Sequence, residues 1–345
     1  MADPKTLTQR ELNRATLERQ LLLTRRRLPL LRAIERIAGM QAQWPPAPYV
    51  GLWSRLPGFR QESLERAILG GQVVKATLMR STLHLVSGAD YPLFAVALRG
   101  MRTWADAVEA DADKIAGEIR ALAVNGPLTI KDALSYIERE HGHVDIHGRR
   151  VWHSVRVRAH LHHAPETALW SSQPQAVYVA LDEPDGVDID AARTELLRRY
   201  LAAFGPATRA DLADWSGMRV SDFATAFDAL EPLRRFRNED GKELLDLPRA
   251  PLPPADTPAP VRFLPKWDSV LLAFKDRTRV LPEEYRKVVI AKNGDVAQTF
   301  LVDGVVRGTW RVEKQRVALE PFEKLPRSAR AKLDDEARRL EAFVA

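Results

Sequence analysis

A chain of 345 residues with 45% apolar side chains is long enough for two or three domains with real cores. The absence of cysteine removes disulfides, thiolate metal sites, iron–sulfur clusters and a cysteine nucleophile, and neither a membrane-length apolar run nor a signal-peptide core is present, so a cytoplasmic location is expected. The net charge is +6 and arginine greatly outnumbers lysine; planar guanidinium groups suit phosphate, so a nucleic-acid partner is favoured wherever the positive charge clusters, although a GC-rich genome also raises arginine and alanine.

Residues 7–24 carry Leu17 and Leu21, with Leu28 beyond, on one helical face and Arg14, Arg19, Arg25, Arg26 and Arg27 elsewhere, so this segment reads as a helix whose basic face meets either phosphates or solvent. Leu30, Ile34 and Ile37 then mark an amphipathic helix over residues 29–38, ended by Gly39. Pro45, Pro46 and Pro48 follow and bias their neighbours to extended backbone, which places Gln41 and Gln43 on a stiff, non-helical segment. Two such amides could cap the preceding helix or could do chemistry.

Leu56-Pro57-Gly58-Phe59 lacks the second glycine of a DNA-binding hairpin, since Arg60 follows, and reads as a turn before a helix at 61–69. Two β-rich runs, 73–79 and 82–86, are separated only by Arg80-Ser81; helices followed by a hairpin outline a winged helix. An internal repeat comes next. Gly126-Pro127-Leu128-Thr129-Ile130-Lys131-Asp132 recurs 79 residues later as Gly205-Pro206-Ala207-Thr208-Arg209-Ala210-Asp211, each with a threonine cap and an acid three residues on, and each after an amphipathic helix. The second copy continues as helix, turn, helix and two strands, a helix-turn-helix with a wing; the first copy follows the same order with a basic helix carrying Arg149, Arg150, Arg156, Arg158, His160, His162 and His163.

Six prolines within residues 248–260 make a stiff connector, followed by β-rich segments at 262–274, 288–292, 298–302 and 305–312, with Asp303-Gly304 as a hairpin turn, and by a closing helix at 328–343. Seven of the eight histidines lie between His141 and His163, and residues 141–147 miss a dinuclear zinc signature by one inserted residue; a polar loop and a DNA-facing helix is the better reading. No nucleophile elbow is present, and Asp182, Glu183, Asp185, Asp188 and Asp190 read as a spacer.

Several separated segments together carry a resemblance. Gly39-Met40-Gln41-Ala42-Gln43, Arg80-Ser81-Thr82-Leu83-His84-Leu85-Val86, Leu264-Pro265-Lys266-Trp267-Asp268-Ser269-Val270-Leu271-Leu272-Ala273, the run from Asp276-Arg277-Thr278-Arg279 to Arg286, and Val302-Asp303-Gly304-Val305-Val306-Arg307-Gly308-Thr309-Trp310 resemble, in order, the AlkZ-like winged-helix DNA glycosylases. The resemblance covers nearly the whole chain.

It implies an α+β, mainly α fold: three tandem winged-helix domains in a C-shaped arrangement, at residues 1–110, 111–187 and 188–258, then a β-rich segment at 259–345 with a DNA-probing hairpin and closing helix. It implies a cofactor-free, monofunctional hydrolase, monomeric and nucleoid-associated, without membrane contact, that cuts the N-glycosidic bond of N7-alkylguanine in double-stranded DNA, bulky natural-product adducts and interstrand crosslinks included. The family's Q-x-Q motif maps onto Gln41 and Gln43 as catalytic residues; a related branch has Asp at the second place, where this chain has Gln43. By motif, DNA contacts are expected from Arg80, His84, Lys266, Trp267, Arg277, Arg279 and Arg307, and by charge from Arg149, Arg150 and Arg156. Trp267 has a packing alternative, and Asp268 is expected to orient a neighbouring arginine. The hairpin at 299–311 is the expected groove probe. Guanine alkylated at N7 is cationic and leaves without a general acid, so two carboxamides that place a water and stabilise an oxocarbenium-like sugar suffice. A non-catalytic DNA-binding regulator is the alternative, and a lyase using Lys75 or Lys266 as Schiff-base nucleophile is a second.

Overall fold

The computed structural model describes residues 4–101, 112–142, 148–171, 175–180 and 187–344. They form two compact units interleaved in sequence: the first comprises Met1–Arg60, Arg199–Leu212 and Pro232–Ala345, the second Gln61–Arg198 and Ala213–Glu231.

In the first unit, Thr8 starts the helix Gln9–Arg19 through a capping box: Thr8 Oγ1 accepts from Glu11 N at 3.2 Å, and Glu11 Oε2 accepts from Thr8 N at 2.8 Å. The helix is shorter than its leucine spacing suggests, because the chain turns at Leu21, whose φ is 60°. The next helix, Leu30–Arg36, ends through Ala38 and Gly39, both at positive φ, and releases the two-residue strand Met40–Gln41. The proline cluster does more than interrupt. Pro46 precedes the helix Ala47–Arg55 and Pro48 lies in its first turn, where a missing N–H costs nothing.

The chain's C-terminal part folds as an antiparallel meander of Arg262–Leu264, Thr299–Val302, Val305–Glu313 and Arg316–Pro321, closed by the helix Arg327–Val344. Leu264, Leu271, Val280, Leu281, Leu301 and Val306 form its core with Leu17 and Leu22 of the N-terminal segment. A second small sheet pairs Thr6–Leu7 in parallel with Arg234–Asn238, which pairs antiparallel with Glu243–Asp246.

Two expectations are corrected in this unit. Arg14 and Arg19 do not face phosphates: both are fully buried, Arg19 in a two-pronged ion pair with Asp246 at 2.7 and 2.9 Å, Arg14 donating to Thr257 O and pairing with Asp303. The Asp303-Gly304 turn is not a free probe either. Asn13 Nδ2 donates to Gly304 O at 2.8 Å, Arg14 Nη1 to Asp303 O at 3.1 Å, and a Cβ on Gly304 would stand 2.5 Å from Asn13 Oδ1, so the turn is docked on the first helix. The exposed turn is the next one, Lys314-Gln315, whose φ values of 48° and 64° suit a tight two-residue hairpin.

The second unit holds a sheet in the order Leu83–Ser87, Val73–Thr77, Leu161–His163, Val177–Ala180, Leu128–Thr129, with every neighbouring pair antiparallel. Arg80 and Ser81 make the turn between the first two strands at φ 54° and 57°. Ile115, Ile119, Ile137, Val151, Trp152, Val155 and Tyr178 pack as its core between the helices Ala112–Asn125, Ile130–His141 and Gly148–Arg158. From residue 112 to 180 the order is helix, short strand, two helices, two strands. The repeat at 189–246 follows it with the helix Ile189–Phe204, a bridge of Ala207 to Leu245, the helix Arg209–Ser216, the 3-10 turn Val220–Phe223 running into the short helix Ala224–Ala229, and the two strands already named. Both repeats show the expected capping box: Asp132 N donates to Thr129 Oγ1 at 3.1 Å and Asp211 N to Thr208 Oγ1 at 3.0 Å.

Three imidazoles of the second unit's sheet, His84, His162 and His163, are buried, and burial lowers the pKa of each. Burial pushes His84 down to about 3, with repulsion from Arg80 adding to it, and burial pushes His163 down to about 3, with Lys75 adding to it. Unfolded histidine titrates near 6.5, so from about pH 6.5 downward the unfolded chain binds more protons and stability falls, by up to about 1.4 kcal/mol per pH unit for each group. Urea unfolding between pH 7.5 and 4.5 should therefore show a shallower loss of stability for His84→Asn than for the wild type; parallel curves would refute the assignment.

Candidate active site

Gln41 and Gln43 are separated by the buried Ala42 but differ in environment: Gln41 is 5% exposed, whereas Gln43 lies in a bend and is exposed. Gln41 lines a cavity of about 10 Å³, room for about one water molecule. Gln20, Arg55, Pro265, Trp267 and Asp268 share its wall.

Asp268 orders this wall. Its carboxylate receives both Arg55 Nη groups at 2.9 Å, and its Oδ1 also accepts from Val270 N at 3.0 Å, capping the short turn Ser269–Leu271. Arg55 and Asp268 are almost fully buried, so each charge needs the other. Arg55 Nη1 donates further to Gly51 O at 3.1 Å within its own helix, Ala47–Arg55, and the pair with Asp268 ties that helix to the Trp267 loop. Asp268 thus orients an arginine, as its place in the motif suggests. Trp267 has φ 54°, a conformation costly for a bulky side chain and a marker of a constrained site. Its indole donates to Gly294 O at 2.9 Å, while Lys266 Nζ sits 4.9 Å from the ring and pairs with Asp295 at 2.8 and 2.9 Å. The tryptophan is half-buried at the cavity wall, neither a pure core residue nor a free one.

The other expected DNA contacts divide. Arg279 is turned inward: it is 6% exposed, stacks at 3.7 Å on Phe274 and donates to Pro206 O at 3.2 Å, and burial pushes its pKa down. His84 is buried, with Nδ1 3.0 Å from Thr82 O. Neither can meet a phosphate in this structure. Arg80 donates to Trp215 O at 2.6 Å from its left-handed turn, and a Cβ on Gly217 would meet Arg80 Cα at 3.0 Å. Arg149 and Arg150 open the helix Gly148–Arg158, in which Arg156 lies 3.0 Å from His153 Nδ1. Arg307 pairs with Glu323 at 2.6 Å, and Arg277 is half-buried. Of the zinc-like run, residues 143–147 lie outside the described residues and His141 pairs with Glu118; among the described residues no group of three His, Asp or Glu side chains is arranged for a metal. Asp182, Glu183 and Asp185 also lie outside them. Lys75, the candidate amine, is 6% exposed and burial lowers it to about 8. A larger cleft of about 310 Å³, lined by Gln9, Lys242, Lys275 and Asp276 among others, shares no residue with the Gln41 cavity.

Sequence reasoning missed Gln20 and Arg55. Arg55 left a trace: a lone charge among Tyr49, Val50, Leu52, Trp53 and Leu56 asks for a buried acid. Gln20 left none.

Comparison with known proteins finds similarity over most of the chain. A family model described as DNA glycosylase AlkZ-like matches residues 34–343. A protein of Streptomyces sahachiroi named "Interstrand DNA cross-link repair glycosylase" is 25% identical over 349 residues, covering 90% of each chain. The solved structure of the Streptomyces sahachiroi DNA glycosylase AlkZ superposes with a TM-score of 0.80 at 20% identity, over 98% of this chain and 97% of that one, which shows a shared fold.

Removing one partner of a buried pair strands the other charge. Asp268→Asn should therefore lower the unfolding free energy in guanidinium by about 3–5 kcal/mol; a loss below about 1 kcal/mol, the worth of an exposed pair, would show that Arg55 finds another partner.

Proposed function

The chain belongs to the AlkZ-like DNA glycosylase family, and from that footing we infer that it hydrolyses the N-glycosidic bond of N7-alkylguanine in double-stranded DNA, with Gln41 and Gln43 as its catalytic residues. The observation that carries this reading is the pairing of an amide at a one-water cavity, Gln41, with an exposed amide two residues on, Gln43. A cationic N7-alkylguanine needs no proton on its leaving base. Its hydrolysis needs a water placed under C1′ and dipoles that stabilise the developing sugar cation, and amide carbonyls supply both.

The cavity has room for a water and not for a purine, which supports a shallow site that acts without drawing the base into a deep pocket. Such a site tolerates bulky or crosslinked adducts, and interstrand cross-links stand in the name of the Streptomyces relative. The repeated order of helices and strands supports winged helices as the DNA-binding scaffold. Arg80, Arg149, Arg150, Arg156, Lys266, Trp267, Arg277 and Arg307 remain the proposed DNA contacts, while burial removes His84 and Arg279. With the Asp303-Gly304 turn docked, the exposed hairpin Val305–Glu313/Arg316–Pro321 becomes the proposed groove probe.

In single-turnover assays on duplex DNA with one N7-methylguanine, Gln41→Ala with Gln43→Ala should lose about 100-fold or more in excision rate at unchanged DNA affinity. A wild-type rate in the double variant would refute the assignment of the two amides. Replacing Lys314-Gln315 by Asn-Gly keeps a favoured two-residue turn but removes the lysine charge and the glutamine side chain. That variant should unfold like the wild type yet bind duplex more weakly and with a shallower salt dependence; unchanged binding would place the hairpin outside the DNA.

A further inference from the structure

We propose that Gln20 is a positioning residue of this glycosylase, holding with Arg55 one internal water in the cavity that Gln41 lines. The inference rests on the role proposed for Gln41, and it adds a third amide behind the two of the motif.

Gln20 follows the helix Gln9–Arg19, its backbone N–H donating to Thr16 O at 3.0 Å, and its side chain is fully buried. Two carbonyls fix the orientation of its amide: Nε2 donates to Ala203 O at 3.1 Å and more weakly to Ile37 O at 3.4 Å. Neither carbonyl can donate, so the nitrogen must face them and Oε1 must face away. Oε1 is buried and accepts no hydrogen bond among the described residues. Arg55 presents the complement. Both its Nη groups are used by Asp268, and its Nε–H is buried and has no acceptor among the described residues.

An orphaned acceptor and an orphaned donor thus belong to two residues that wall one cavity, whose size admits one water. A water there accepts from Arg55 Nε, donates to Gln20 Oε1 and keeps a second O–H for the remaining wall, which includes Gln41. Gln20 also grips the backbone from which Gln41 departs, since Ile37 O stands just before the turn at Ala38 and Gly39. Both effects act on one variable, the direction of the Gln41 carboxamide.

The test is a crystal structure of the wild type at a resolution that shows ordered water, together with Gln20→Met and Gln20→Glu in single-turnover excision of N7-methylguanine. Methionine keeps the volume and removes the polar atoms. Burial among carbonyls raises the pKa of a glutamic acid there, and its protonated form, favoured as pH falls, donates through its O–H and accepts through its C=O. A water within hydrogen-bond distance of Gln20 Oε1 and Arg55 Nε, a drop in rate of about tenfold or more in Gln20→Met at unchanged DNA affinity, and recovery in Gln20→Glu that fades as pH rises would support the proposal. No water density at this place, a wild-type rate in Gln20→Met, or equal failure of both variants at every pH would overturn it. If the wild type itself excises nothing, the substrate reading fails; the water, and a shifted Gln41 amide in crystals of Gln20→Met, are still read from density and decide this proposal by themselves.

Discussion

The buried pair between Arg55 and Asp268 is the interaction on which the site depends. A guanidinium and a carboxylate out of water are costly unless each satisfies the other, and here the two-pronged geometry at 2.9 Å does so while both backbones join in, Gly51 O on one side and Val270 N on the other. The pair connects the helix after the glutamines to the loop that carries Trp267. Gln41 therefore faces a wall whose position is set by charge pairing, a directional and short-ranged force, and not by apolar packing alone. That is the kind of support a catalytic amide needs, because the amide gains its effect from being pre-oriented.

Arginine serves two opposed purposes in this chain. Arg14, Arg19 and Arg55 are among its largest fully buried side chains, and Arg279 lies against Phe274. Arg14, Arg19 and Arg55 each reach a backbone carbonyl and a carboxylate with one planar fork, and Arg279 reaches Pro206 O and the Thr16 hydroxyl, combinations a lysine ammonium does not match in one geometry. Composition registers all of these residues as positive charge and so overstates the surface offered to DNA.

Much of the architecture was legible because it rests on local rules. The two Thr-x-x-Asp caps, the stop at Gly39 and the strands Thr299–Val302 and Val305–Glu313 are set by neighbours in sequence and stand where the pattern puts them. The expected β-rich segment at 288–292 instead begins in the helix Arg286–Val289, the segment at 262–274 is strand only at Arg262–Leu264, and the strand Arg316–Pro321 is not expected from the pattern. The break in helix at the glutamine segment was legible as well, since Gly39 precedes it, but the prolines after it begin the helix Ala47–Arg55, and only Met40–Gln41 is strand. What could not be read were outcomes of tertiary contact. Asp303-Gly304 is a strong turn signal, yet only the folded structure shows Asn13 and Arg14 holding that turn down. The burial of Arg279 and His84 depends on strands and loops distant in sequence, and Gln20 belongs to the site only because its helix ends beside Ile37 and Ala203.

The central claim is that two carboxamides, which do not ionise, carry out the hydrolysis of a base that already bears its charge. The most direct measurement is the pH dependence of single-turnover excision of N7-methylguanine between pH 6.5 and 9, with product analysis for strand cleavage. A flat profile that ends in an intact abasic strand is the result expected. A rise in rate near pH 8 accompanied by strand cleavage would contradict it and would point instead to the buried Lys75 amine, whose pKa burial lowers to about 8.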